Sequence, residues 1–392
     1  MAANGNGCAQ NSALIRIGSR DSELAKKQTY MVRDALQKVH PKLEFDIITM
    51  KTKGDKILNL ALSKIGSKSL FTKELEMALE EGQVDMVVHS LKDLPTTLPD
   101  GLVIGCVSER EDPRDAVIMH PKHTTASLAS LPNDSVIGTS SVRRAAQLKR
   151  KFPNLRFESV RGNLNTRLRK LDTADDYAAL ILAAAGVLRM GWADRISQYL
   201  GEDECMHAVG QGALAVECRE EDSPTLDLLA AIAHPSTTIA AIAERALMRT
   251  LEGGCSAPVA VHTKVTEESL SLKGGVWSLD GTEQLVHSMS TPLKIKGEAS
   301  SKEEPKAKVT KTSMTYCGIV PPCGMEQIMG RVHDLGKSLA QELLDQGAEK
   351  ILQAAKAQND AHTPTTNPNM PPSKAVLEEV SKAKPTGHWI SP

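Results

Sequence analysis

Six arginines and one lysine stand where short apolar runs end. Arg20 follows "LIRIGS", Lys92 follows "DMVVHS", and Arg143 and Arg144 follow "SVIGTSS". Arg161 and Arg167 follow "RFESV", and Arg189 follows "LILAAAG". A single acid, Asp93, shares those junctions. A guanidinium meets a carboxylate through parallel N–H bonds, and charge-assisted bonds of this kind contribute roughly 1.5–3 kcal/mol each. Open α/β sheets bind ligands beyond the carboxyl ends of their strands. Two junctions, Thr139-Ser140-Ser141 and Gly162-Asn163, also offer hydroxyls, side-chain amides or free backbone N–H groups where a helix begins, a natural anion site. Cations at a helix start oppose the macrodipole, so a merely solvated role leaves a recurring cost unexplained. The pattern predicts a cleft for a ligand bearing several carboxylates or phosphates.

Two further residues could do chemistry. Asp93, in "HSLKDLP", is either the ion-pair partner of adjacent Lys92 or a general acid/base, a role contributing typically 10²–10⁴-fold. Its place at a strand end favours the second. Cys255, in "LEGGCSAPVA", sits on a corner between two glycines and a proline. A helix ending at Gly253 or Gly254 points its negative pole at this thiol and disfavours the thiolate. Nucleophilic cysteines sit near positive charge instead. Cys255 is therefore a structural cysteine, the commoner case, or an exposed thiol that reacts once and stays modified.

The elements that must position these residues alternate. From Leu14 to about Arg219, nine short runs read as strands: the five already quoted with "FDIITM", "LVIGCV", "AVIM" and "ALAVEC". "SELAKKQTYMVRDALQKV", "TKELEMALEEG", "VRRAAQLKRKF" and "LNTRLRKLD" carry helical spacing between them. This predicts α/β structure with largely parallel sheets, divided into two near Glu111. After Pro235 the texture changes. "STTIAAIAERALMRTLEGG" predicts a helix capped by Ser236 or Thr237, with Ile239, Ile242, Ala246 and Leu251 inward and a left-handed stop at Gly253 or Gly254. Three strand-like runs, "APVAVHTKV", "LSLKGGVWSLDG" and "EQLVHSMS", and one long closing helix from Met325 predict a small α+β domain. The charged "LKIKGEASSKEEPKAKVTKTS" reads as a disordered insertion, and the chain after about Asn359 as a Pro-rich tail.

Bulk properties narrow the function. A chain of 392 residues holds two or three domains. The net charge is −1 and aromatics are 3% of residues, so neither a nucleic-acid nor a membrane partner is expected. The basic runs "VRRAAQLKRK" and "RGNLNTRLRK" would be the nucleic-acid alternative, and interleaved acids weigh against it. The seven cysteines are scattered with no Cys-x-x-Cys pair, which predicts a reducing compartment and no metal. "MAANGNGCAQNS" lacks the apolar core of a signal peptide, and "AALILAAAGVL" is too short to span a bilayer. A cytoplasmic protein is expected.

Five segments in consistent order resemble one family. "ERALMRTLEGGCSAPVAV" resembles the cofactor-attachment signature of the porphobilinogen deaminases (hydroxymethylbilane synthases), and "VVHSLKDLPT", "IGTSSVRRAAQL", "VRGNLNTRLRKL" and "AAAGVLRMG" resemble their other hallmarks. The resemblance spans roughly Ala13 to Asp360, and the insertion near Gly297 to Thr312 is similar to that of the vertebrate-type enzymes. It implies two domains like type II periplasmic binding proteins, 1–110 with 210–233 and 111–209. It also implies a small C-terminal domain, 234–358, with a three-stranded antiparallel sheet and the insertion near 294–313, followed by a disordered tail, 359–392. A dipyrromethane cofactor hangs from Cys255 by a thioether, and four porphobilinogen units join it head to tail, each losing ammonia, before water releases hydroxymethylbilane. By resemblance Asp93 handles the protons. Ser90, Lys92, Asp93, Thr139, Ser140, Ser141, Arg143, Arg144, Arg167, Ala183, Gln211 and Gly212 contact the cofactor. Arg20, Ser22, Arg161, Arg167, Arg189 and Gln211 contact the substrate. The stretch from Thr52 to Phe71 is expected to form a mobile lid, and the enzyme to be monomeric. Ala257 departs from the usual Val, Ile or Thr of the signature, and Ser19 and Asp21 flank Arg20 where Thr and a cation are commoner.

Overall fold

A computed structural model describes residues 14–52, 72–252, 257–294 and 314–361. The insertion, the tail after His362, Cys255 itself and nearly all of the expected lid lie outside the described residues. The first sheet has the order β2–β1–β3–β10–β4. Strands β1 (Leu14–Arg20), β2 (Glu44–Met50) and β3 (Met86–Ser90) run parallel, and β10 (Leu214–Arg219) lies antiparallel between β3 and β4 (Leu102–Val107). The second repeats the pattern as β7–β6–β8–β5–β9. There β6 (Val136–Gly138) is parallel to β7 (Arg156–Glu158) and β8 (Ala179–Ala183), while β5 (Asp115–Met119) is antiparallel to β8 and to β9 (Gln198–Tyr199).

All nine expected runs are strands, but the sheets are mixed. Four of the eight neighbour pairs are antiparallel, because β10 and β5 each enter their sheet against the grain. A buried apolar run reads the same in either direction, so orientation was not in the pattern. The two-residue β9 is too short to leave a period.

Helix α1 (Glu23–Val39) starts at Ser22, whose hydroxyl accepts the Ala25 N–H, and buries Gln28, Val32 and Leu36 at four-residue spacing. Helix α2 (Lys73–Glu80) covers the other face with Leu75, Ala78 and Leu79, packed on Val87 and Leu102. In the second domain α3 (Val142–Lys151), α4 (Leu164–Thr173) and α5 (Ala184–Met190) follow β6, β7 and β8. Helix α6 (Ser223–Ala230) returns the chain along the first sheet, packing Leu226 and Leu229 beside Val103 and Cys106.

The third domain comprises α7 (Pro235–Thr250), an antiparallel sheet β11 (Val259–Val265), β12 (Ser269–Trp277) and β13 (Gln284–Pro292), and helices α8 (Glu326–Asp345) and α9 (Ala348–Ala361). The fold is thus two periplasmic-binding-protein-like α/β domains with a three-stranded α+β domain. Ile239, Ile242 and Ala243 of α7 share one core with Leu91, Ile104 and Ala215 of the first domain. Two local expectations are corrected. The cap of α7 is His234, whose ring accepts the Thr237 N–H with Pro235 in the first turn, not Ser236 or Thr237. Glu252, just after α7, is left-handed at φ +50°, and the stop expected at Gly253 or Gly254 lies outside the described residues. The closing helix is two helices, separated at Gln346 and Gly347, where Gly347 has φ +101°. No single helix among the described residues is long and apolar enough to cross a membrane.

Candidate active site

A cavity of about 290 Å³ opens where β1, β3, β7 and β8 end. Arg20 and Ser22 reach it from β1 and the cap of α1. Ser90, Lys92 and Asp93 reach it from β3 and the short 3₁₀ turn that follows. Arg161, Arg167, Ala183, Arg189 and Arg144 line it from the second domain, and Gln211 and Gly212 from the segment that re-enters the first. Twelve of the expected site residues therefore share one wall.

Four do not. Thr139, Ser140, Ser141 and Arg143 lie behind the wall. The Thr139 N–H donates to the Glu158 carbonyl, the Ser140 hydroxyl to the Val160 carbonyl, and Ser141 accepts the Arg144 N–H as cap of α3. Arg143 is buried, with Nη1 2.7 Å from Asp115 Oδ2 and 2.6 Å from the Met206 carbonyl. These residues surround the helix start, and Arg143 is buried on Asp115 and does not line the cavity in this structure.

Asp115 organises this corner. Burial alone would raise its pKa, yet the guanidiniums of Arg143 and Arg144 hold it far below the carboxylate range. Its Oδ1 also accepts from Gln211 Nε2 at 2.8 Å, while the Pro113 carbonyl accepts from the same amide at 2.7 Å. Gln211 Oε1 remains a buried acceptor with no protein partner among the described residues. Gly212 (φ +94°) presses against the Glu111 carbonyl, where a Cβ would collide, and its own carbonyl accepts from Arg189 Nη2 at 2.6 Å. A glycine is required there by both conformation and contact.

Four of the cavity's cations are short of water. Burial lowers the pKa of Lys92, with Asp93 opposing, and of Arg161. It brings Arg167 to about 10, with Arg144 and Arg161 adding repulsion, and lowers Arg189, with Glu111 opposing. Among the described residues no ion pair joins Lys92 to Asp93, nor any carboxylate to Arg161 or Arg167. Desolvated cations without partners are unfavourable until an anion arrives. That is the electrostatic signature of a polycarboxylate site, and it fits a cofactor that carries carboxylates on each ring.

The sequence reading missed Glu23, Gln28 and Asn165, which line the cavity together with Asn163 of the expected anion junction. Gln28 Nε2 donates to the Ser90 hydroxyl at 3.0 Å; an amide heading an apolar stripe was the available signal. Glu23 Oε2 accepts from Asn165 Nδ2 at 2.6 Å, and Lys27 Nζ donates to the Met190 carbonyl at 3.1 Å, so α1 touches both domains across the mouth. Glu23 adds a second carboxylate to a wall on which Asp93 was expected to stand alone.

The fold and the site define a two-domain α/β protein whose cleft is lined by several cations and by the carboxylates of Asp93 and Glu23. Residues 15–227 match the family model described as "Porphobilinogen deaminase, dipyromethane cofactor binding domain", and residues 238–307 match its C-terminal domain. A porphobilinogen deaminase of Synechococcus elongatus is 55% identical over 278 residues, covering 71% of this chain and 87% of that one. That of Gloeobacter violaceus is 56% identical over 272 residues, covering 69% and 83%. Among solved structures, the chain is distantly similar to the substrate binding protein of an amino acid ABC transporter, at 15% identity and TM-score 0.30, covering 55% of this chain and 90% of that one. The chain belongs to the porphobilinogen deaminase family.

Proposed function

We propose that this cleft holds the substrate and the primer of a hydroxymethylbilane synthase through their carboxylates. The family supplies the activity: porphobilinogen is deaminated and polymerised on a dipyrromethane cofactor to give hydroxymethylbilane. The observation that carries the residue assignments is the desolvation of Lys92, Arg161, Arg167 and Arg189 in one cavity without carboxylate partners on Arg161 or Arg167. Each pyrrole brings an acetate and a propionate, and these are the anions such a wall lacks.

When bound, the cofactor supplies the free α-carbon that the first substrate unit joins. The protein's own residues do the rest. Arg20, Ser22, Arg161, Arg167 and Arg189 orient the incoming substrate; Ser90, Lys92, Arg144, Ala183, Gln211 and Gly212 flank the primer. Asp93 serves the proton at the aminomethyl nitrogen as ammonia leaves, and its carboxylate offsets the positive charge left on the pyrrole.

Cys255 as the attachment point, the domain limits at 110, 209 and 233, a monomer without metal, and a cytoplasmic location complete the reading. So does kinship of the insertion with vertebrate-type enzymes, although the relatives above are cyanobacterial. The test is the intact denatured mass of the protein and of Cys255→Ala. A mass heavier by one dipyrromethane, absent from the variant, supports the assignment. The same added mass in Cys255→Ala would move the attachment elsewhere.

A further inference from the structure

The third domain grips the second at three places away from the cavity. His207 and Val261 exchange backbone hydrogen bonds of 3.1 and 2.9 Å. Trp277 packs with Ala146, Met206 and Ala260 in one buried cluster. The turn joining β12 to β13 docks on the last turn of α3: the Leu279 carbonyl accepts from Lys149 Nζ at 3.1 Å, and the Gly281 and Thr282 carbonyls accept from Arg150 Nη1 at 3.3 and 3.0 Å.

That turn is built for close approach. Asp280 Oδ1 accepts from the Ser278 hydroxyl at 2.6 Å, from the Thr282 N–H at 3.0 Å and from its hydroxyl at 2.8 Å, which closes the turn on itself. Gly281 has φ +80°, and a Cβ there would lie 2.7 Å from the Ala146 carbonyl oxygen and 3.0 Å from the Arg150 nitrogen. Both are backbone atoms of α3, so no side-chain rotation relieves the clash. The opposite end of the same helix carries Arg144 into the cavity wall. It is held there by Arg143 on the Met206 carbonyl and by Gln147 Oε1 accepting the Met206 N–H at 2.9 Å. The next residue, His207, is the one bonded to β11, which begins four residues after Cys255.

We propose that the turn at Gly281 is a positioning element that sets the distance between β11, the strand that follows Cys255 in the chain, and the carboxylate-binding Arg144. Helix α3 is a rod about 15 Å long, so a displacement at Lys149 and Arg150 reaches its first turn undamped. The inference rests on the reading of Arg144 as a carboxylate-binding residue and of Cys255 as the attachment point.

Three holoenzyme variants test it, each first weighed to verify that the primer is retained. Gly281→Val lifts the turn, and the double variant Lys149→Met with Arg150→Met removes its donors without touching a core. Both should raise KM for porphobilinogen roughly tenfold, as loosening one charge-assisted bond to its carboxylates does, while kcat changes less than threefold. Lys149→Arg with Arg150→Lys keeps the donors and should restore KM. Unchanged KM in both disruptive variants overturns the proposal, as does a fall in kcat and melting temperature with KM unmoved, which marks a purely structural contact. Arg144→Gln separates the premises. If it leaves KM unaltered, the reading of Arg144 has failed; if it raises KM while the turn variants do not, the positioning role alone has failed.

Discussion

The carboxylate of Asp115 lies 2.8 Å from the guanidinium of Arg144, and both side chains are almost wholly out of water. One acid thus serves two arginines, because Arg143 occupies its other oxygen at 2.7 Å. The three groups leave a net positive charge at the start of α3, facing a cavity lined by five further cations and by the carboxylates of Asp93 and Glu23. Asp115 is the internal counter-ion that lets Arg144 remain in place when no ligand is bound.

Removing that counter-ion should be severe. Asp115→Asn leaves two buried guanidiniums without a carboxylate and is expected to lower stability by about 3–5 kcal/mol. Denaturant unfolding measures this directly. A change below about 1 kcal/mol would mean that the arginines find other partners.

Asp93→Asn should lose turnover by about 10²–10⁴-fold while the primer, seen by mass, stays attached. Wild-type turnover in that variant would remove Asp93 from the proton-transfer role.

Arg167→Gln tests the cavity's demand for anions. A lost charge-assisted bond of roughly 1.5–3 kcal/mol corresponds to a 10- to 150-fold weaker kcat/KM for porphobilinogen. Stability should hold or rise, since Arg167 is desolvated and has no carboxylate partner among the described residues. A drop in stability at unchanged kcat/KM would make it a structural residue.

His207 predicts an acid limit. Burial first, and then the charge of Arg110, bring its pKa from 6.5 to about 4. Below pH about 6.5 the unfolded chain therefore takes up a proton that the folded chain refuses. The neutral ring's contribution is complete above that pH and is lost as pH falls toward 4, amounting to about 3 kcal/mol. Unfolding free energies measured from pH 7 to 4 should fall less steeply in His207→Gln than in the parent chain.

Glu252 holds a left-handed backbone beside the two glycines that precede Cys255. Glu252→Gly should relieve roughly 1 kcal/mol of strain, partly offset by the greater freedom of glycine in the unfolded chain. A melting temperature equal to or slightly above the parent's is expected; a marked fall would show that the Glu252 side chain has a structural partner.

Much of this architecture was legible in the residues. The apolar runs located every strand but β9, and their polar ends located most of the cavity wall, because a strand that is apolar throughout has few other places to put an arginine. Arg143 and Arg144 were indistinguishable in the sequence. Adjacent residues on a helix point about 100° apart, and which of the two lines the cavity depends on tertiary partners such as the Met206 carbonyl, sixty-three positions from Arg143. The cap at His234 was missed for a different reason: it fills a role that Ser or Thr usually takes, and tertiary packing overrode local preference.

The path of β10 has a consequence for biosynthesis. Leu214–Arg219 is the only strand between β3 and β4, yet it leaves the ribosome after the whole second sheet. Until then the nascent first domain exposes two unpaired strand edges, the kind of surface that invites pairing with another chain. A nascent chain halted before Leu214 therefore carries a complete second sheet beside an open first one, and chaperone protection is most needed during that interval of translation.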